Sequence, residues 1–186
     1  DDQRDAAQAF ESLRTDEGAV VVEADRGRGK SSAAGLAAGN LAAEGRDVLV
    51  TAPQYRSAAE VFARAGHLLE MLGVDFTRDR SSDPQRLDVA GAGSVRYAPP
   101  DEAALLPDGP DVVIVDEAAA LPVRRLEQFL DAPAVAFTTT VHGYEGAGRG
   151  FSVRFRDRLA ESDHAVSDVL MTTPIRYGDA DPVEVW

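Results

Sequence analysis

An α/β fold, with helices on both faces of a doubly wound, mostly parallel sheet, is predicted by three features of the sequence. Strand-like and helix-like segments alternate along the chain, the pattern of parallel strands joined by crossover helices. The run Asp111-Val112-Val113-Ile114-Val115 is almost continuously apolar, as expected of a strand covered on both faces. A second β-branched run, Ala19 to Glu23, leads through a glycine-containing loop into an alanine-rich helix. In such a sheet, ligands bind outside the carboxyl ends of the strands.

Taken in order, Gln8 to Arg14 reads as the end of an amphipathic helix, followed by the Ala19–Glu23 strand. The loop Ala24 to Gly29 opens a helix over Lys30–Ala43, which Gly45 closes. Asp47–Thr51 is a second strand, broken by Pro53 before a helix over about Ser57–Leu72. Asp75 to Gly93 mixes aspartate, serine, glycine and proline without period, which predicts an irregular excursion. A short strand at Ser94–Ala98, the apolar strand to Val115 and a helix over Val123–Leu130 come next. The pattern ends with a strand at Ala134–Thr138, a glycine-rich loop at Gly143–Gly150, a helix near Phe151–Ala160 and a strand near Asp168–Thr172.

At 186 residues and 44% hydrophobic, the chain suits one well-buried domain spanning 1–186. It opens at Asp1 without methionine and stops at Trp186 without a polar tail, so we expect a segment of a longer, multidomain chain. The absence of cysteine excludes disulfides and thiolate metal sites and fits a reducing compartment. No apolar run approaches the roughly 20 residues of a membrane span, and no signal segment begins the sequence. The expectation is a cytoplasmic protein with no membrane partner.

Only one of the 19 basic residues is a lysine, and it lies in Ala24-Asp25-Arg26-Gly27-Arg28-Gly29-Lys30-Ser31. This matches the phosphate-binding pattern G-x-x-x-x-G-K-[ST], with Ala24 at the first position. An ammonium on a flexible stem can follow the β- and γ-phosphates, whereas a planar guanidinium is too wide to fold back over the loop. The expected nucleotide-facing set is Gly27, Arg28, Gly29, Lys30, Ser31 and Ser32, with backbone N–H groups and the helix N-terminus toward phosphate and the Ser31 hydroxyl toward Mg²⁺.

Asp116-Glu117 follows the third apolar strand. Two carboxylates at a buried strand end are costly without a cation. Asp116 is therefore a candidate for Mg²⁺, and Glu117 for orienting or deprotonating the attacking water. A guanine-reading N-K-x-D motif is excluded because Lys30 is the sole lysine, which points away from GTPases and toward ATP. Gln3 is a candidate adenine reader through its side-chain amide, with a solvated residue the alternative. Thr138-Thr139-Thr140 and His142 close the next strand, where they either sense a γ-phosphate or simply finish the strand.

Arg149, Arg154, Arg156 and Arg158 are interleaved with Phe151 and Phe155. They suit either an RNA-facing stripe or a helix whose arginines pair with nearby acids and whose phenylalanines enter the core, and the second reading is preferred for all but Arg149. Arg149, flanked by glycines, and Arg176, after the last strand, are the candidates to stabilise charge on a transferring phosphoryl group.

The loop above, Ile114-Val115-Asp116-Glu117-Ala118-Ala119-Ala120-Leu121-Pro122, His142-Gly143-Tyr144-Glu145-Gly146-Ala147-Gly148-Arg149-Gly150-Phe151 and Pro174-Ile175-Arg176-Tyr177 together resemble the helicase-like module of the tRNA(Met) cytidine acetyltransferase family. The resemblance runs from about Gln3 to Trp186 and includes the alanine at the first loop position. It implies a RecA-like P-loop NTPase of the RecD type, which hydrolyses ATP or GTP to assist acetylation of cytidine N4 in tRNA. It also implies partners outside this sequence: an acetyltransferase domain that uses acetyl-CoA in the full-length enzyme, and the tRNA. A RecD-like DNA helicase core and a non-hydrolysing nucleotide-binding docking domain remain the alternatives.

The formal charge is −13 with a pI near 4.6, which opposes a nucleic-acid partner if read globally. Carboxylates nevertheless lie in solvent-type positions throughout, as at Asp79, Asp83, Asp88 and Asp101-Glu102. A uniformly acidic, lysine-poor surface is what a salt-rich, halophilic cytoplasm favours, so we expect the charge to report habitat rather than partner. The expected outcome is a fall in the thermal unfolding midpoint on transfer from molar to millimolar KCl; a midpoint indifferent to salt would remove this reading.

Overall fold

The computed structural model describes residues 8–14, 18–24, 29–79, 86–140 and 147–171. An eight-stranded sheet runs in the order β3-β4-β5-β2-β6-β7-β1-β8. Its strands are β1 (Gly18–Ala24), β2 (Asp47–Thr51), β3 (Phe76–Arg78), β4 (Arg86–Val89), β5 (Ser94–Tyr97), β6 (Val112–Val115), β7 (Ala134–Thr140) and β8 (Ala165–Met171). From β5 to β8 every neighbouring pair is parallel, and β3 and β4 extend one edge antiparallel.

Alternation along β1 divides the core. Val20, Val22 and Ala24 face α1 (8–11), α2 (Lys30–Ala43) and α3 (Tyr55–Leu72), while Ala19 and Val21 face α4 (Pro100–Ala103), α5 (Val123–Phe129) and α6 (Ala147–Glu161). Strands β6 and β7 contribute to both layers in the same way, which is why the sequence of β6, and of β7 as far as Phe137, is apolar at every position. On the second face, Phe155 of α6 meets Phe137 of β7 edge-on, with ring centroids 4.6 Å apart.

Helix α2 carries an alanine- and glycine-rich surface because it packs close against α3. A β-carbon at Gly35 would lie 2.5 Å from the Val61 carbonyl oxygen, so the two backbones approach more closely than any larger residue allows. That contact fixes the helix whose N-terminus sits at the carboxyl edge of the sheet.

The predicted α2 and β2 match the observed bounds. The excursion over 75–93 instead contains β3 and β4. Among the described residues there, Leu87 and Val89 are buried and Phe76 packs partly buried against the core, so two short edge strands carry too few apolar residues to show a period. Strand β7 runs on to Thr140, and β8 begins at Ala165 rather than near Asp168. Helix α6 begins at Ala147, inside the segment predicted as loop: burial of Phe155 and Leu159 outweighs the weak helix propensity of Gly148 and Gly150. Among the described residues no helix is long and apolar enough to cross a membrane.

At the sheet's amino end, the buried Arg96 guanidinium donates from Nη2 to Asp47 Oδ2 at 2.9 Å and to the Pro107 carbonyl at 2.7 Å. Ser94 Oγ donates to Asp47 Oδ1 at 2.7 Å. Burial alone would push the Asp47 carboxyl up, but the hydrogen bonds from Arg96 and Ser94 and the Arg96 charge outweigh it and hold the group below its ordinary value. A depressed carboxyl stabilises the fold above the unfolded pKa and loses that contribution as pH falls through the folded one. Arg96→Met should therefore lower unfolding free energy by about 1–3 kcal/mol at neutral pH. In denaturant titrations, its deficit relative to the unaltered protein should close in acid.

Candidate functional site

Strand β7 lies between β1 and β6, so the loop after β1, the acids after β6 and the threonines ending β7 share one end of the sheet. Ala24, at the first position of the phosphate-binding pattern, is still the last residue of β1 and pairs in register with Thr140. A β-carbon is at home in that extended backbone, which accounts for the alanine. Gly29 needs its lack of a side chain: it caps α2 at φ 83°, ψ 21°, in the left-handed region.

Lys30 and Ser31 open α2. Asp116 is 0% exposed and is held from two sides. Ser31 Oγ donates to its Oδ2 at 2.9 Å, and Thr138 Oγ1 donates to its Oδ1. Its backbone N–H donates to the Thr51 carbonyl at 2.8 Å, tying it to β2 as well. Burial pushes the Asp116 carboxyl above the usual carboxylate range, and the adjacent Glu117 charge adds to this. The Thr138 and Ser31 hydrogen bonds and the Lys30 charge pull the other way without cancelling the rise.

Glu117 adopts φ 54°, ψ 48°, a left-handed conformation that is strained for a residue with a side chain. Its Oε1 lies 2.5 Å from the Lys30 ammonium. The Thr140 hydroxyl donates toward both of its oxygens, at 3.3 and 3.4 Å. Lys30 is 9% exposed, so the ion pair lies mostly out of water while Glu117 keeps one side open.

The structure thus brings Lys30, Ser31, Asp116 and Glu117 together and leaves Ser32 buried along α2. Of the other sequence-derived candidates, Gln3, Gly27, Arg28 and Arg176 lie outside the described residues. So do His142 and the side chain of Arg149, whose backbone belongs to α6. Thr138 and Thr140 turn toward the two acids, contacts that the sequence reading did not anticipate. Arg156 is engaged by Glu23 at 3.0 Å and by Asp168, and Arg158 by Glu127 at 3.0 Å, so acids compensate this part of the basic stripe.

Among the described residues no group of three or more His, Asp or Glu side chains could hold a metal ion. The Ser31 hydroxyl and Asp116 carboxylate, both oxygen donors and already 2.9 Å apart, fit Mg²⁺, which takes most of its remaining ligands from phosphate and water.

Residues 21–186 match the family described as RNA cytidine acetyltransferase NAT10/TcmA, helicase domain. Over its full length the chain is 89% identical to a tRNA(Met) cytidine acetyltransferase TmcA of Haloarcula marismortui and 60% identical to one of Haloferax volcanii, covering 24% of each. The chain therefore spans about a quarter of the length of these curated relatives. In fold it is similar to the large terminase of a thermophilic bacteriophage, with a TM-score of 0.67 over 91% of this chain and 45% of that one at 13% identity.

A carboxyl whose folded pKa is raised burdens the fold when ionised, and the burden is full once pH exceeds that raised value. Asp116→Asn should therefore raise the thermal midpoint of the nucleotide-free protein at pH 8 by roughly 2–4 °C, the shift expected for about 1 kcal/mol at this chain length. The gain should shrink as pH falls; calorimetry across pH checks both the sign and the trend.

Proposed function

Because the chain belongs to the RNA cytidine acetyltransferase NAT10/TcmA helicase-domain family, we propose that it is the Mg²⁺-dependent ATPase module of a tRNA cytidine N4-acetyltransferase, acting in the cytoplasm. The observation that carries this reading is the convergence of Lys30 and Ser31 with Asp116 and Glu117 across 85 residues of sequence. The phage terminase, which shares this fold, has also been solved in complex with ATP-gamma-S. ATP is the expected nucleotide and GTP a possible one.

In this mechanism the amides at the N-terminus of α2 and the Lys30 ammonium receive the β- and γ-phosphates. Ser31 and Asp116 hold Mg²⁺, which when bound neutralises phosphate charge. Glu117, released from Lys30 by the incoming phosphate, orients a water against the γ-phosphorus and accepts its proton. The water oxygen forms the new bond as the bond to the bridging β–γ oxygen breaks, leaving ADP and phosphate. Arg149 and Arg176 are the candidates to offset charge in the transition state, and Gln3 to read adenine. Acetyl transfer from acetyl-CoA and engagement of tRNA(Met) belong, on this reading, to the longer protein.

Phosphate release measured on the full-length protein, with and without tRNA, tests the proposal. Lys30→Ala should lower turnover at least about a hundredfold, because the lost charge acts directly on the phosphates. Turnover that survives the substitution would put the site elsewhere. Tight nucleotide binding with no phosphate release under any condition would select a docking role.

A further inference from the structure

Lys30 cannot satisfy Glu117 and a triphosphate at once. Its ammonium sits 2.5 Å from Glu117 Oε1, the place a phosphate oxygen would compete for. A phosphate carries more charge than one carboxylate and draws Lys30 away, and its own negative charge then repels Glu117. Of the contacts to the Glu117 carboxylate among the described residues, the Thr140 hydroxyl is the one that survives this exchange. It is neutral, it donates toward both carboxylate oxygens, and it stands at the end of β7, fixed by the Ala24–Thr140 pairing beside the start of the phosphate loop.

We propose that Thr140 is the positioning residue for Glu117: it retains the carboxylate when nucleotide takes Lys30, and so sets where the attacking water is aligned. This rests on the hydrolytic reading given above. It assigns distinct tasks to the threonines of β7, since Thr138 serves Asp116 and Thr140 serves Glu117. It also makes the resting ion pair a competitor of nucleotide, so that part of the binding energy is spent on arming the site.

The test uses the full-length protein and two readouts, steady-state hydrolysis and equilibrium binding of a fluorescent ATP analogue. Thr140→Val keeps shape and β-branching but removes the hydroxyl. It should lower kcat roughly ten- to hundredfold while leaving KM and the analogue's Kd within about threefold, and Thr140→Ser should restore most of the rate. Unchanged kcat in Thr140→Val, failure of the serine variant to rescue, or a parallel loss of Kd would each overturn the assignment. Glu117→Gln, which removes the resting ion pair, should tighten analogue binding about tenfold, and unchanged affinity would overturn the competition. If the unaltered protein binds nucleotide without turnover, the hydrolytic reading fails and the role of Thr140 in it fails with it, whereas the affinity arm still decides the ion-pair competition.

Discussion

The buried carboxylate of Asp116 is the constraint around which the carboxyl edge of the sheet is organised. A charged group with no exposure is tolerable only where donors surround it, and the donors come from α2, through Ser31, and from β7, through Thr138. These contacts require β7 to lie between β1 and β6, and α2 to start close above both. The Gly35 approach between α2 and α3 keeps that helix in place. The strand order, the small residues on α2 and the hydroxyls at the strand end thus answer one electrostatic requirement. Neutral hydroxyls do so incompletely, since the carboxyl remains shifted upward. The deficit is a local preference for positive charge beside the carboxylate.

Beside it, Lys30 and Glu117 neutralise one another in a mostly buried pair, and Glu117 reaches Lys30 from a left-handed backbone. Both features cost free energy in the resting protein, on the order of 1–3 kcal/mol for the backbone conformation alone. Arrangements of this kind persist where the surrounding structure over-determines them, and here a parallel sheet buried on both faces does so. The charge contacts of Lys30 and Glu117 are replaceable, whereas the strands that carry the site are held by the sheet. That combination suits a pocket whose occupant brings several negative charges and a divalent cation together.

The fold was legible because long apolar runs bury on both faces, and the helices opening at Lys30 and Tyr55 follow glycine or proline breaks. The β3–β4 edge was not, because Leu87 and Val89 are too few to set a period against Asp88 and the surrounding polar residues. Helix α6 starts early because packing of Phe155 and Leu159 overrides the local preference of glycine, a tertiary effect invisible to a window of sequence. In the site, Lys30 and Ser31 were legible from the glycine loop that opens a helix, and Asp116 and Glu117 from paired carboxylates at a buried strand end. The bonds from Thr138 and Thr140 were not, since a threonine ending a strand carries no mark of which acid it will meet. Only the position of β7 between its neighbours decides that.

Global charge and local chemistry also separate here. A chain of net charge −13 would repel a polyphosphate at long range, yet the carboxyl edge of the sheet presents a helix N-terminus and Lys30 to it. Salt at molar concentration screens fields beyond a few ångströms, so the distant carboxylates lose their reach while contacts within the pocket keep theirs. The same argument bears on RNA. Arg156 and Arg158 are already engaged by carboxylates from β1, β8 and α5, and screening weakens long-range attraction to phosphate as much as repulsion. A salt-rich setting therefore favours contacts made at short range, such as those within this compact pocket, over long-range attraction or repulsion.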